Sequence, residues 1–276
     1  MTGPPATAPA DVRRRREVPG RAVRTAPAVL AVAVIGLQIA YPLVHGAARG
    51  RLTVATVLVF FAASVSHALV WRGRRFAATL VVVTAGGGLA VEVAGVATGW
   101  PFGAYAYAGT LGADLAGVPL VIPLAWTMMA YPALLVGRAI TRHRVAGPLV
   151  AGWALASWDL FLDPQMVDAG HWAWRSGGPS VLGVPVSNFA GWTLVAVVMM
   201  ALVWRAAGGG AREAATVGGS GVHAPDDRPM HALYLWVYAS SVLAHATFFG
   251  LPGSAALGGV GMGTVVAAFL WSLRGR

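Results

Sequence analysis

Three carboxylates in this chain are placed where carboxylates are expensive. Of its ten acidic residues, seven (Asp11, Glu17, Asp114, Asp168, Glu213, Asp226 and Asp227) lie in tails or between apolar runs, whereas Glu92, Asp159 and Asp163 lie within such runs. An ionisable side chain at membrane depth is costly and marks a functional site by default. Gly88, Glu92, Gly95 and Gly99 follow a 4-3-4 spacing, so the glutamate sits on a glycine stripe of one helix. Gly152, Ala156, Asp159 and Asp163 repeat that spacing. Small residues in such a stripe let a second helix or a flat ligand come close. Pro164 disfavours helical geometry at the residue before it, so the helix is expected to fray at Asp163.

Several chemistries are excluded. There is no nucleophile elbow, no HExxH, no Walker loop and no GxGxxG opening a helix. The histidines are too scattered to hold a di-iron centre, and no metal site is expected. Asp159 and Asp163 form a DxxxD pair like those with which membrane prenyltransferases hold Mg²⁺ and a diphosphate. Here that motif occurs once and lacks basic neighbours. What remains is acid–base chemistry in an apolar, aromatic-lined cavity. A carboxylic acid kept neutral there can protonate an isolated alkene, and a second, ionised carboxylate can orient water and accept its proton. The faces of Trp and Tyr stabilise the intervening cation. Glu92 is expected as the proton donor, Asp159 as the water-orienting base, and Asp163 as the group tuning both. The expected substrate-binding residues are Trp100, Phe102, Tyr105, Tyr107, Trp126, Trp158, Trp172, Trp174, Asn188, Trp192 and His245. Each has a plainer alternative: interhelical hydrogen bonding for the carboxylates, an interfacial belt for the loop aromatics, an N-cap for Asn188 and core packing for His245. No cofactor is needed and none is signalled.

The elements that must position these residues are membrane helices. The chain has 276 residues, 57% apolar and 11% charged, with 36 glycines and a mean hydropathy of +0.66. Globular domains carry about 25% charged residues. Apolar runs of spanning length fall near 26–45, 52–71, 76–98, 118–140, 146–165, 188–206, 231–250 and 253–273, the fifth and eighth being the least marked. The expected fold is an all-α polytopic transmembrane bundle of seven to eight spans. Alternating ten-residue barrel strands are not visible. Residues 1–25 read as a disordered Arg-rich tail, 26–276 as one transmembrane domain, and 207–229 as a flexible inner linker.

The net charge of +10 comes from 20 basic residues, all arginine, at the ends of apolar runs. That is a topology signal and not a nucleic-acid surface. A cytoplasmic N-terminus places 17 of the 20 inside, which makes both termini cytoplasmic and the protein a multi-pass protein of the plasma membrane. The absence of cysteine excludes disulfides and thiolate chemistry. Glu92 and Asp159 each lie six residues from the outer end of a run, roughly 9 Å deep, and His245 about 7.5 Å deep.

The chain also echoes itself. Gly117-Val118-Pro119 and Gly183-Val184-Pro185 are each followed, nine residues after the glycine, by Trp126 and Trp192. Glu92 precedes the first glycine by 25 residues and Asp159 precedes the second by 24. Spans three–four and five–six therefore read as parallel copies of one unit.

At these residues the chain resembles the integral-membrane carotenoid biosynthesis proteins, whose characterised members are carotenoid 1,2-hydratases of the CruF type. The resemblance is carried by Glu92-x-x-Gly95-x-x-x-Gly99-x-Pro101-Phe102-Gly103-x-Tyr105-x-Tyr107 and by Pro119-Leu120-x-Ile122-Pro123-Leu124-x-Trp126. It continues through Trp158-Asp159-Leu160-x-Leu162-Asp163-Pro164-Gln165-Met166, Trp172-x-Trp174 and Gly183-x-Pro185-x-x-Asn188-Phe189-x-Gly191-Trp192, within a family-like core of 85–206. It implies hydration of the terminal C1–C2 double bond of an acyclic or monocyclic carotenoid to a tertiary 1-hydroxy end. The implied substrate is lycopene, γ-carotene or a C50 carotenoid like bisanhydrobacterioruberin. The partners it implies are the lipid bilayer and other membrane enzymes of the same pathway, with no nucleic acid. A carotenoid cyclase sharing the protonation step, and a proton-coupled transporter or carotenoid-binding membrane protein, are the alternatives.

Overall fold

The computed structural model describes residues 21–175, 178–208 and 225–274. Of the expected tail, 1–20 lie outside the described residues, and 21–25 already belong to the first helix; of the expected linker, 209–224 lie outside them. The described residues form eight long helices: α1 (Arg21–Ala40), α2 (Ala47–Arg72), α3 (Arg74–Thr98), α4 (Val121–Ile140), α5 (Ala146–Asp168), α6 (Val186–Ala206), α7 (Arg228–Thr247) and α8 (Pro252–Arg274). The fold is an all-α polytopic bundle. Six of the helices are long and apolar enough to cross a membrane; α5 and α7 are not among them. The less marked eighth run thus qualifies, whereas the fifth and the seventh, also expected as spans, do not. Helix α7 carries His231, Ser240, Ser241 and His245, which lower its hydropathy. Helix α5 lies inside, packed against α4, α6 and α8, and buries Asp159 and Asp163.

Proline shapes the two central helices, and serine repairs the damage. Proline lacks an N–H, so the carbonyl four residues earlier loses its helical partner. Pro132 in α4 frees Met128, whose carbonyl accepts a 2.8 Å bond from Ser64 Oγ of α2. Pro164 in α5 frees Leu160, whose carbonyl accepts a 2.9 Å bond from Ser254 Oγ of α8. Hydroxyls of neighbouring helices commonly satisfy such groups where water is absent. Helix α5 therefore does not fray at Asp163 as expected; it continues to Asp168.

Two loops cross the end of the bundle that carries the site. Both contain a two-residue hairpin: β2 (Asp114–Leu115) with β3 (Val118–Pro119), and β5 (Ser180–Val181) with β6 (Val184–Pro185). The turn residues have matching positive φ, 53° and 80° at Ala116-Gly117, 56° and 78° at Leu182-Gly183. Paired positive φ is the type I′ geometry that suits a two-residue hairpin. The sequence echo is thus a structural repeat. A further pairing, not anticipated from sequence, joins the copies: β1 (Tyr105–Tyr107) runs antiparallel to β4 (Trp172–Trp174), with Tyr105 opposite Trp174 and Tyr107 opposite Trp172.

At the opposite end, Arg72 Nη2 donates to both carboxylate oxygens of Asp227 at 2.6 and 2.8 Å, and His67 bonds both Tyr131 Oη (3.0 Å) and the Asp226 carbonyl (2.8 Å). These contacts fix the start of α7 against α2.

Candidate active site

The site forms where the two copies meet. Trp126 of α4 and Trp192 of α6, equivalent in the repeat, stack face to face with ring centroids 3.9 Å apart and planes 11° apart. Above them the β1–β4 pair forms a roof of alternating tyrosine and tryptophan. Under this roof is a small cavity, walled by Glu92, Asp163 and Asn188 and by the rings of Phe102, Tyr105, Tyr107, Trp126, Trp172, Trp174 and Trp192. Ile122, Ala125 and Leu162 complete the wall.

Glu92 is 3% exposed and accepts three hydrogen bonds. Its Oε2 receives Tyr105 Oη at 2.5 Å and Tyr107 Oη at 2.9 Å; its Oε1 receives Trp126 Nε1 at 3.1 Å. The glycine stripe makes this possible. A Cβ at Gly88 would lie 2.8 Å from the Trp126 ring, and one at Gly95 would lie 2.8 Å from Tyr105 Oη. The stripe admits the donors that hold the carboxylate. Burial and the adjoining Glu92 push the Tyr105 and Tyr107 phenols well above the ordinary tyrosine range, so both remain protonated donors.

The aspartates form a second cluster. Asp163 Oδ1 accepts from Trp172 Nε1 at 3.1 Å, and Asp163 Oδ2 accepts from Asn188 Nδ2. The same amide donates to Asp159 Oδ2 at 3.0 Å, while Asp159 Oδ1 has no partner among the described residues. The shared Asn188 amide holds the two carboxyl groups side by side. Among the described residues, no basic side chain is a hydrogen-bond or ion-pair partner of Glu92, Asp159 or Asp163.

The continued α5 changes which aspartate lies level with Glu92. Glu92 is six residues from the end of α3, about 9 Å, and Asp163 is five from the end of α5, about 7.5 Å, whereas Asp159 lies about 13.5 Å down. Accordingly Asp163 is on the cavity wall and Asp159 is behind it.

Most of the expected aromatic residues line this cavity. Trp158 instead lines a neighbouring one and meets Trp192 edge-on at 6.4 Å. Trp100 is 67% exposed and stands outside. His245 is buried but bonds Gln165 Oε1 at 3.1 Å and packs against Phe161 and Phe249, away from the carboxylates. Ile122, Ala125 and Leu162 had no chemical signature by which sequence could single them out; position relative to Asn188, Trp126 and Asp163 is the one available signal. No group of three or more metal-ligating side chains occurs among the described residues.

These buried carboxyl groups inside an aromatic box have a family context. The model described as "Carotenoid biosynthesis protein" matches residues 52–218. The chain belongs to that family. Over 117 residues, 41% of the chain, it is 34% identical to the bisanhydrobacterioruberin hydratase of Haloarcula japonica. The match spans 39% of that relative's length. No solved structure matches the chain. The protein is therefore a multi-pass membrane protein of carotenoid biosynthesis, and the site lies within the matched region.

Proposed function

We propose that the protein hydrates the terminal trisubstituted double bond of an acyclic or monocyclic carotenoid, in the cell membrane and by acid–base catalysis alone. The carrying observation is that Glu92 and Asp163 share one aromatic-walled cavity in which neither is neutralised by a base.

Hydrogen bonding distributes the roles differently from the sequence expectation. Three fixed donors favour the charged form of Glu92. Asp159 and Asp163, by contrast, are two buried carboxyl groups on one amide donor, and adjacent carboxylates away from water do not both ionise, so in our reading the pair keeps one proton. In our reading Asp163 delivers that proton to C2, Asp159 and Asn188 position it, and the charge settles on C1 as a tertiary cation. The rings of Trp126, Trp192 and Tyr105 and the anionic Glu92 stabilise the cation. Water adds to C1 and loses a proton to Glu92, leaving a tertiary alcohol. The proton returns from Glu92 to the aspartates through solvent, so alkene plus water is the whole balance.

Expression in a host accumulating lycopene, followed by chromatography and mass analysis, tests this. The expected product is heavier by one water, with oxygen from H₂¹⁸O at C1 and one deuterium at C2 when made in D₂O, without O₂ or reductant. A product of unchanged mass with a new ring would identify a cyclase, and unaltered pigment would identify a binding or transport protein.

A further inference from the structure

The cavity at the carboxylates is small, with room at most for the end of a carotenoid and none for its chain. A second, larger cavity adjoins it, and Ile122, Ala125, Leu162 and Trp172 belong to the walls of both. Its far side is formed by α1, α2 and α7. On α7 the residues concerned are Val237, Ser240, Ser241 and Ala244, one helical face spaced 3-1-3, three of them small. Thr53 and Thr56 of α2 and Ala125 of α4 are likewise small, so the space results from side-chain choice along several helices. Phe161, Met128 and Trp158 give it a largely apolar and aromatic lining. One side is closed by a cluster in which the Arg49 guanidinium lies 5.6 Å from the Tyr41 ring and 5.7 Å from the Phe249 ring, which meet edge-to-face at 5.9 Å.

Resting on the hydration reading above, we propose that this second cavity is the binding site for the polyene chain, which passes between Ala125 and Leu162 to present its terminal double bond to Asp163 and Glu92. The small face of α7 then sets which carotenoids fit, and the Tyr41–Arg49–Phe249 cluster walls the chain off on one side.

The test uses the full-length protein in lipid nanodiscs with the variants Ser241→Phe and Ala244→Phe, neither of which touches the carboxylate site. Two probes are compared: lycopene, and a C10 isoprenoid alcohol that carries the same dimethyl-ended alkene but no long tail. Binding is read from quenching of tryptophan fluorescence by the polyene, since Trp158 and Trp172 line the cavity. Filling the cavity with a ring should weaken lycopene binding and hydration by about tenfold or more, as displaced apolar contact area implies, while hydration of the C10 probe stays within about twofold. Unchanged lycopene binding in both variants, an equal loss with both probes, or no quenching by lycopene in the wild type would each overturn the proposal. Quenching that the variants abolish, in a protein that hydrates neither probe, would uphold the polyene site and refute the hydratase reading.

Discussion

Replacing Glu92 by Gln separates charge from shape at the centre of the site. The amide can satisfy the same neighbours: its carbonyl accepts from Trp126 Nε1, and the phenols of Tyr105 and Tyr107 rotate to accept from its NH₂. Insertion, folding and carotenoid binding should therefore be retained. What is lost is the negative charge beside the tertiary cation. At about 4 Å and an effective dielectric near 20 that attraction is worth about 4 kcal/mol, or roughly a thousandfold in rate, within the ~10²–10⁴ range for removing an acid–base group. The partner variant is Asp163→Asn, which removes the delivered proton. The assay is turnover of lycopene in D₂O, scoring hydrated product and deuterium at C2 separately. Glu92→Gln should slow cation formation by that factor, and with no base to take the proton of water the residual turnover should place deuterium at C2 in unhydrated product, the cation shedding a proton or closing a ring. Asp163→Asn should lose both. Deuterium incorporation that persists in Asp163→Asn and vanishes in Glu92→Gln would refute the assignment and make Glu92 the acid.

Other consequences follow from neighbouring contacts. Asn188→Leu leaves two buried aspartates without their shared donor, so the melting temperature should fall by an amount corresponding to about 1–3 kcal/mol and activity should fall with it; an unchanged melting curve would contradict the geometry. Gly95→Ala places a methyl group 2.8 Å from Tyr105 Oη and 3.0 Å from Phe102, and should reduce turnover without preventing membrane insertion, checked by lycopene assay beside a detergent-extraction yield. Ser254→Ala should destabilise by about 0.6–1.7 kcal/mol, the range for hydrogen bonds between membrane helices; in a Pro164→Ala background, where residue 164 again donates to Leu160, the same change should cost close to nothing. Reporter fusions after Arg144 and Arg276 should read cytoplasmic and one after Arg175 external, checking the orientation drawn from the arginines.

The helices were legible because bilayer thickness imposes a length that composition can report, and eight runs became eight helices. The repeat was legible because a type I′ turn needs positive φ twice, which leaves a glycine in the same place in both copies. The level of the aspartates was not legible. Pro164 by itself argues for a helix end, and only the hydroxyl of Ser254, 94 residues from the Leu160 carbonyl it bonds, makes continuation inexpensive. The β1–β4 pairing was also hidden. Three-residue strands carry almost no periodic signal, and this pair joins segments 67 positions apart in register Tyr105–Trp174 to Tyr107–Trp172 only because the repeat brings equivalent strands together.

That repeat poses a chemical problem which two residues resolve. A site built from two identical halves would give its carboxylates identical surroundings, yet an acid and a base need different ones. Glu92 and Asp159 are equivalents, each 13 residues before the first aromatic of its strand, Tyr105 or Trp172. Four residues beyond them the copies diverge, with Val96 in one and Asp163 in the other; five residues beyond the turn glycine they diverge again, with Ile122 in one and Asn188 in the other. The divergent polar pair is the one that bonds together, Asn188 to Asp163, and it enlists Asp159 as well. The first copy keeps a single carboxylate held by three neutral donors, and the second gains two carboxyl groups on one amide donor beside the same cavity. On this reading the duplication supplied the aromatic box, and the substitutions at 163 and 188 divided it into an acid side and a base side.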